Sequence, residues 1–375
     1  MRVGLNLLYL APGAGGVGTY ARELLPAMLD AEPGLRLTGF VSRELPEDVR
    51  RAPWAGEVEW VELPVTVTHG PPWNVLKTVG AQWGAIPALA RRRRLEVVHG
   101  LANVAPLVAP GAARVVTILD LIWLRHPGVM DARARIGTRV LTRASAHRAD
   151  RILTISDFVA RDVRETYGVP AERIEAIPLG FRLPPAAPAA PEAEVRAALG
   201  LGDAPVVLCV AQHREHKNLE ALVRALPADA VLVLPGAETE YTARLRAADA
   251  RDQVRFPGWV DAAQLEALYA MARCFVLPSL EEGFGLPVLE AMGRGVPVAC
   301  SDAASLPEVA GDAALLFDPH DQAAIAQALE RLLRDGDLRA RLAAAGRERA
   351  AAFPWSATAR RTIDAYRGAL ASRRR

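Results

Sequence analysis

The sequence predicts an α/β protein made of two doubly wound parallel-sheet domains. Three observations carry that expectation. Short apolar runs alternate with helical patterns twice over, and a stretch rich in proline and alanine, "LPPAAPAAPEA" at 183–193, separates the two series. The chain's 375 residues are also enough for roughly two domains of ordinary size. Short, continuously apolar strands belong to sheets covered by helices on both faces.

In the first series the strand candidates are "VGLNLLYL" (3–10), "LRLTGFVS" (35–42), "EVEWVEL" (57–63), "LEVVHG" (95–100), "RVVTIL" (114–119) and "RILTIS" (151–156). The second series holds "PVVLCVA" (205–211), "AVLVLPG" (230–236), "QVRFPGWV" (253–260), "CFVLPS" (274–279), "VPVACS" (296–301) and "AALLF" (313–317). The expected division is therefore a first domain over 1–182, a linker over 183–193 and a second domain over 194–356, with a helical run closing the chain. Two such domains on a proline-rich linker leave a cleft between them, a natural ligand site.

The opening "MRVGLNLLYLAPGAG" has the outline of a secretory leader, one arginine followed by an apolar run and small residues. Asn6 interrupts that run, and "GGVGTYARELLPAML" continues at once as a helix, so it reads as a buried first strand and the protein is expected in the cytoplasm. Hydrophobic residues make up 51% of the chain and charged ones 23%, the balance of a folded globular protein. Forty-five basic residues against 43 acidic ones leave a net charge of +2, which argues against general nucleic-acid binding. Cys209, Cys274 and Cys300 each lie in an apolar run without metal or disulfide spacing, as buried thiols of a reducing compartment do. No apolar run approaches the ~20 residues of a spanning helix. The sequence leaves the oligomeric state open.

Several motifs carry chemistry. "GAGGVG" (13–18) follows the first strand and matches G-x-G-x-x-G, but the second strand ends in Ser42 and Arg43 rather than the acid a dinucleotide ribose requires. What survives is a glycine turn that brings backbone N–H groups to a diphosphate. "HREHK" (213–217) crowds His213, Arg214, His216 and Lys217 into the turn after the second domain's first strand, either as a solvated loop or as an anion site. A metal is disfavoured there because no third ligand is at hand. "RDGD" (334–337) reads as a turn between two helices. The run 74–94, with Trp83, aliphatics and four arginines, fits a helix lying on an anionic membrane or a plain surface helix with a basic end, and Pro87 interrupts it.

The most informative stretch is "EEGFGLPVLEAMGRGVP" (281–297). It places Glu282 in a glycine turn after a buried strand, and Glu290 eight positions on in a helix that opens with Pro287. Val288, Leu289, Ala291 and Met292 surround Glu290, and a carboxylate among such residues needs a partner. Turns between strand and helix in parallel sheets are ligand sites, because helix N-termini offer N–H groups and partial positive charge.

Taken together, "GGVGTYARELL", "HGLANVAPL", "VVTILDLIWLRHP", "RILTISDF", "HKNL", "FPGWV", "PSLEEGFGLPVLEAMGRGVPVACSD" and "LPEVAGDAALLFDP" resemble the family 4 retaining glycosyltransferases of GT-B fold, along nearly the whole chain. The resemblance implies two Rossmann-like domains facing across a cleft, with a C-terminal helix at about 357–375 packing back on the first domain. It implies transfer of a hexose, of mannose or glucose type, from a GDP- or UDP-sugar to an acceptor hydroxyl, with no cofactor and no metal. The acceptor is then a glycan, a lipid-linked sugar or a small molecule, and the setting bacterial glycan or glycoconjugate synthesis, in the cytoplasm or at the inner face of the membrane. By the same resemblance Glu290 holds the donor ribose, Glu282 the sugar hydroxyls and Lys217 the diphosphate, with His213 and Arg214 as further cations. The backbone at Phe284, Gly285 and Leu286 approaches sugar and phosphates, Gly16 faces them from the first domain, and Trp259 and Val260 border the base. Asn103 and Asp120 stand on the acceptor side. Two positions depart from the family pattern: Gln212 where an arginine is usual, and Leu119 where many members carry histidine. These departures keep open a nucleotide-sugar-binding protein without turnover, and the shared architecture keeps open a sugar-nucleotide epimerase.

Overall fold

The computed structural model describes residues 1–66, 73–183 and 189–373. Much of the expected linker, 184–188, therefore lies outside the described residues. The chain divides into two compact units, the first made of Met1–Leu124, Met130–Gly180 and Pro354–Arg375, the second of Arg125–Val129 and Phe181–Phe353.

The first unit is built on a seven-stranded sheet with β1 (Arg2–Asn6), β2 (Arg36–Val41), β3 (Val58–Glu62), β4 (Val97–Gly100), β5 (Ala113–Ile118), β6 (Arg151–Thr154) and β7 (Ile174–Ala176). Their order across the sheet is β3-β2-β1-β4-β5-β6-β7, and every pairing is parallel. The short strand β7 has no counterpart in the sequence reading, since its three residues, Ile-Glu-Ala, carry a central glutamate and Pro178 follows closely. The second unit carries β8 (Val206–Leu208), β9 (Val231–Pro235), β10 (Val254–Gly258), β11 (Ala272–Leu277), β12 (Val298–Ser301) and β13 (Ala314–Phe317) in the order β10-β9-β8-β11-β12-β13, again all parallel. Cys209, Cys274 and Cys300 are buried, and burial pushes each thiol up to about 12.

Strand order fixes where each unit can bind. The order reverses between β1 and β4 in the first sheet and between β8 and β11 in the second. Connections leaving two neighbouring strands in opposite directions open a crevice at their carboxyl ends, and ligands of open α/β sheets bind there.

Within the stretch 74–94, most of the described aliphatics of 81–90 turn inward. Ala81, Ile86 and Ala90 are buried in a cluster with Leu8, Phe40 and Val98, and Ala85 and Leu89 pack against it. This packing accords with the plain surface helix with a basic end. Asp335 of "RDGD" caps the helix Gly336–Ala351 by accepting from the Leu338 N–H at 2.9 Å, as a turn residue does.

The C-terminal helix Trp355–Arg373 belongs to the first unit and packs on the helix Gly15–Ala31 and on β5. A buried polar chain joins it to the sheet. The Tyr366 hydroxyl lies 2.6 Å from His99 Nδ1, His99 Nε2 lies 2.8 Å from the Thr117 hydroxyl, and that hydroxyl lies 3.3 Å from Tyr20 Oη. Burial pulls His99 down to about 3, so it is neutral at physiological pH. Tyr366→Phe leaves one imidazole nitrogen buried without a partner, and is expected to cost about 1–3 kcal/mol in chemical denaturation. Because the folded state resists protonating His99, its contribution is complete above the ordinary histidine value and is lost as pH falls from there toward 3.

Candidate active site

The second unit's switch point brings together the loops that follow β8 and β11. The first contains "HREHK", the second "EEGFG". They meet at one contact: Lys217 Nζ donates to Glu282 Oε1 at 2.6 Å, and their side chains are only 15% and 9% exposed. The Ser279 hydroxyl donates to the same oxygen at 2.7 Å. From the side, the Ser305 hydroxyl bridges the carbonyls of Glu282 and Phe284 at 2.9 and 2.8 Å, which fixes the loop's path. A lysine and a glutamate held this close in a half-dry crevice can each turn to a ligand of opposite demand, the ammonium to an anion and the carboxylate to hydroxyl donors.

The turn ends at Gly285, whose φ of 111° lies in the left-handed region. A Cβ there would also stand 2.6 Å from Leu306 Cδ2, so the chain needs glycine twice over. The helix Leu286–Gly293 follows, with Pro287 in its first turn. Phe284 turns its ring into the core against Phe353, with centroids 5.9 Å apart, which leaves only its backbone to a ligand.

Glu290 stands half-buried on this helix, and its Oε2 accepts from the Tyr269 phenol at 3.2 Å. Arg294, one turn on, stacks over the Tyr269 ring at 4.4 Å, pairs with Glu266 at 3.0 Å and donates to the Glu290 carbonyl at 2.9 Å. The arginine thus spends its hydrogen bonds on Glu266 and backbone. Burial raises the Glu290 carboxyl above its ordinary range, only partly offset by the nearby Arg294 charge and the Tyr269 hydrogen bond.

His213 is corrected. It is fully buried, its Nδ1 lies 3.0 Å from the Thr242 hydroxyl and its Nε2 3.3 Å from the Leu234 carbonyl, and burial lowers its pKa. A neutral ring with both nitrogens occupied braces the loop and presents no charge to a phosphate. Arg214 is also engaged, donating to the carbonyls of Gly128 and Val129 at 3.2 Å each. Lys217 is the cation of this loop that meets the glutamate turn. Trp259 stands 81% exposed just past β10, after Gly258 at φ 71°, and Val260 follows it half-buried.

Three residues escaped sequence reasoning. Buried Glu281 pairs with Arg125 through both guanidinium arms and accepts from His126 Nε2 at 3.1 Å. His126 in turn faces His216 at 5.6 Å between ring centroids. The partners are 155 and 156 residues apart, so no local spacing announces them. His216 is buried, has no hydrogen-bond partner for Nδ1 among the described residues, and is pushed down to about 4 by burial first and Lys217 second. A cavity of about 470 Å³ lies beside these rings, lined by His126, Arg214, His216 and Tyr241 among others, but by neither Glu282 nor Glu290. Glu281→Ala is expected to lower stability by about 1–2 kcal/mol, less than for a fully buried pair because Arg125 is partly solvated, and to speed hydrogen exchange over 125–129.

In the first unit, Gly16 lies exposed in the first turn of the helix Gly15–Ala31, on the loop that leaves β1. Asn103 and Asp120 come from the loops after β4 and β5 and are brought together: Asn103 Oδ1 accepts from the Leu119 N–H at 2.8 Å and its Nδ2 donates to the Asp120 carbonyl at 3.4 Å. Asn103 sits at φ 58°, a conformation asparagine tolerates better than most residues. Leu119 is buried. Among the described residues no group of three His, Cys, Asp or Glu side chains is placed to hold a metal.

Comparison with known proteins gives a consistent match. Residues 14–183 match the profile described as Glycosyltransferase Family 4, and residues 192–349 the one described as Glycosyl transferases group 1. The O-antigen chain mannosyltransferase B of Escherichia coli is 36% identical over 231 residues, 58% of this chain and 60% of that protein. The matched stretch therefore spans less than two thirds of that relative. The MMP alpha-(1->4)-mannosyltransferase of Mycolicibacterium hassiacum is 30% identical over 423 residues, covering 99% of both chains. Among solved structures, sucrose-phosphate synthase from Thermosynechococcus elongatus superposes with a TM-score of 0.76 at 24% identity, covering 99% of this chain and 100% of that one, a likeness of fold.

Proposed function

Because this chain belongs to the group 1, family 4 glycosyltransferases, we propose that it moves a hexose, mannose first among the candidates, from a nucleoside-diphosphate sugar to an acceptor hydroxyl in glycan or glycoconjugate synthesis. The single observation behind the proposal is the Lys217–Glu282 contact at the switch point of the second sheet. The mannosyltransferase relatives support the choice of sugar.

In this reading the donor replaces the ion pair. Lys217 turns to the diphosphate, Glu282 accepts from sugar hydroxyls, and the Glu290 carboxylate accepts both hydroxyls of the ribose. Trp259, exposed just past β10, borders the base in this reading. As the bond from the anomeric carbon to the phosphate oxygen breaks, negative charge grows on the leaving diphosphate, and Lys217 with the N-terminus of the helix Leu286–Gly293 stabilises it. The acceptor oxygen bonds to the anomeric carbon, and its proton passes to the departing phosphate oxygen on the same face, which gives retention. Charge neutralisation by side chain and helix leaves no step that calls for a metal.

Thermal shift against GDP-mannose, GDP-glucose, UDP-glucose and UDP-galactose tests the donor, since a ligand at 100 times its Kd adds about 2.7 kcal/mol. Transfer from the stabilising donor to mannosides or lipid-linked sugars, with the product anomer read by NMR, tests activity and retention. Turnover unchanged in EDTA is the expected result, and an EDTA-sensitive rate overturns the metal-free reading. Binding without transfer or hydrolysis over a broad acceptor panel turns the assignment to a silent binding protein.

A further inference from the structure

We infer that the helix Ala132–Arg148 of the first unit docks on an anionic lipid surface. Its sequence, "ARARIGTRVLTRASAHR", contains five arginines and no acidic residue. Thr142, Ser145 and Ala146 turn inward and are buried, which fixes the helix's rotation. The opposite side then carries Ile136 and Val140 at i and i+4, 65% and 59% exposed, with Arg143 and His147 on the same stripe and Arg133 and Arg139 flanking it.

That pairing of features selects the partner. Two neighbouring β-branched aliphatics gain nothing from water, and their own unit leaves most of each uncovered. A ring of guanidinium groups around an apolar centre is the arrangement of an interfacial helix, whose aliphatics enter the acyl boundary while the cations meet lipid phosphates. A nucleic acid would answer the arginines but not the aliphatics, and an apolar protein groove would not reward the three arginines that line this face. The inference stands apart from the 74–94 segment, in which Ala81, Ile86 and Ala90 pack into the core. It also does not depend on the transferase reading, because lipid binding is measured without donor or acceptor.

The test is vesicle flotation of the full chain with phosphatidylcholine liposomes, with and without 30 mol% phosphatidylglycerol (on the order of the anionic content of bacterial membranes), at low and high salt. Binding to the anionic vesicles at low salt is expected, with little to neutral ones. Arg139→Gln/Arg143→Gln should weaken partitioning roughly thirtyfold, and Ile136→Ser/Val140→Ser about tenfold. All four positions are exposed, so circular dichroism should report an unchanged fold. Equal partitioning of wild type and the aliphatic variant overturns the inference, as does equal affinity for neutral and anionic vesicles. A wild-type dimer that Ile136→Ser/Val140→Ser dissociates would assign this face to a second copy of the chain and overturn it too.

Discussion

Glu290→Gln is expected to cut kcat/KM by about 100- to 1,000-fold while leaving the unliganded protein at least as stable as the parent. The loss follows from hydrogen bonding. A carboxylate that accepts from both hydroxyls of a ribose makes two charge-assisted bonds, each about 1.5–3 kcal/mol. The amide keeps the shape but gives up the charge and offers donors where acceptors are needed. The gain in stability follows from burial, which raises the Glu290 carboxyl: the folded state binds its proton more tightly than the unfolded chain does. Stability from this group is therefore present at low pH and lost as pH rises through the raised value, so at neutral pH the charge is a liability that glutamine removes. Donor affinity has the opposite dependence. It needs the carboxylate and should fall as pH drops, with a midpoint above that of an ordinary glutamate. A urea titration of both forms, with the donor thermal shift from pH 4.5 to 8, checks both halves. A variant that is destabilised yet still donor-responsive would remove Glu290 from the ribose.

How far the sequence reveals this site depends on how local its parts are. Every strand except β7 is legible because it is a short, largely apolar run bounded by turn residues, and the glutamate turn is legible because Glu282, Gly285, Pro287 and Glu290 fall within nine residues. Arg294 leaves a weak signal, an arginine four positions after a glutamate on a helix. The structure gives it to Glu266 instead, which sequence spacing does not foretell. His213 misleads for a plain reason: composition shows a basic loop, but only packing shows that Thr242 and the Leu234 carbonyl take both ring nitrogens. The Glu281 partners are illegible because residues 125–129 cluster with the second unit while the sequence on either side belongs to the first. The helix 132–148 sends no signal of its own, since an arginine-rich stretch reads as an ordinary surface helix. What distinguishes it is the exposure of Ile136 and Val140, a tertiary fact.

Lys217→Ala should lose both stability and activity, and a second substitution should return only the first. The ammonium and the Glu282 carboxylate face each other at 2.6 Å with little solvent around either. Removing the lysine strands a buried carboxylate on the Ser279 hydroxyl alone, a change expected to cost about 3 kcal/mol. It also withdraws the positive charge aimed at the leaving diphosphate, and loss of one such stabilising group typically lowers kcat by about 100- to 1,000-fold. Lys217→Met/Glu282→Gln removes both charges at once. The stranded carboxylate is gone, and the fold should return to within about 1 kcal/mol of the parent, because a neutral pair pays no desolvation cost. Activity should stay at the level of the single variant or below, since neither phosphate nor sugar has its partner. Had the pair only a structural task, the double variant would recover turnover along with its melting temperature, and the steady-state rate beside the denaturation midpoint distinguishes the two cases.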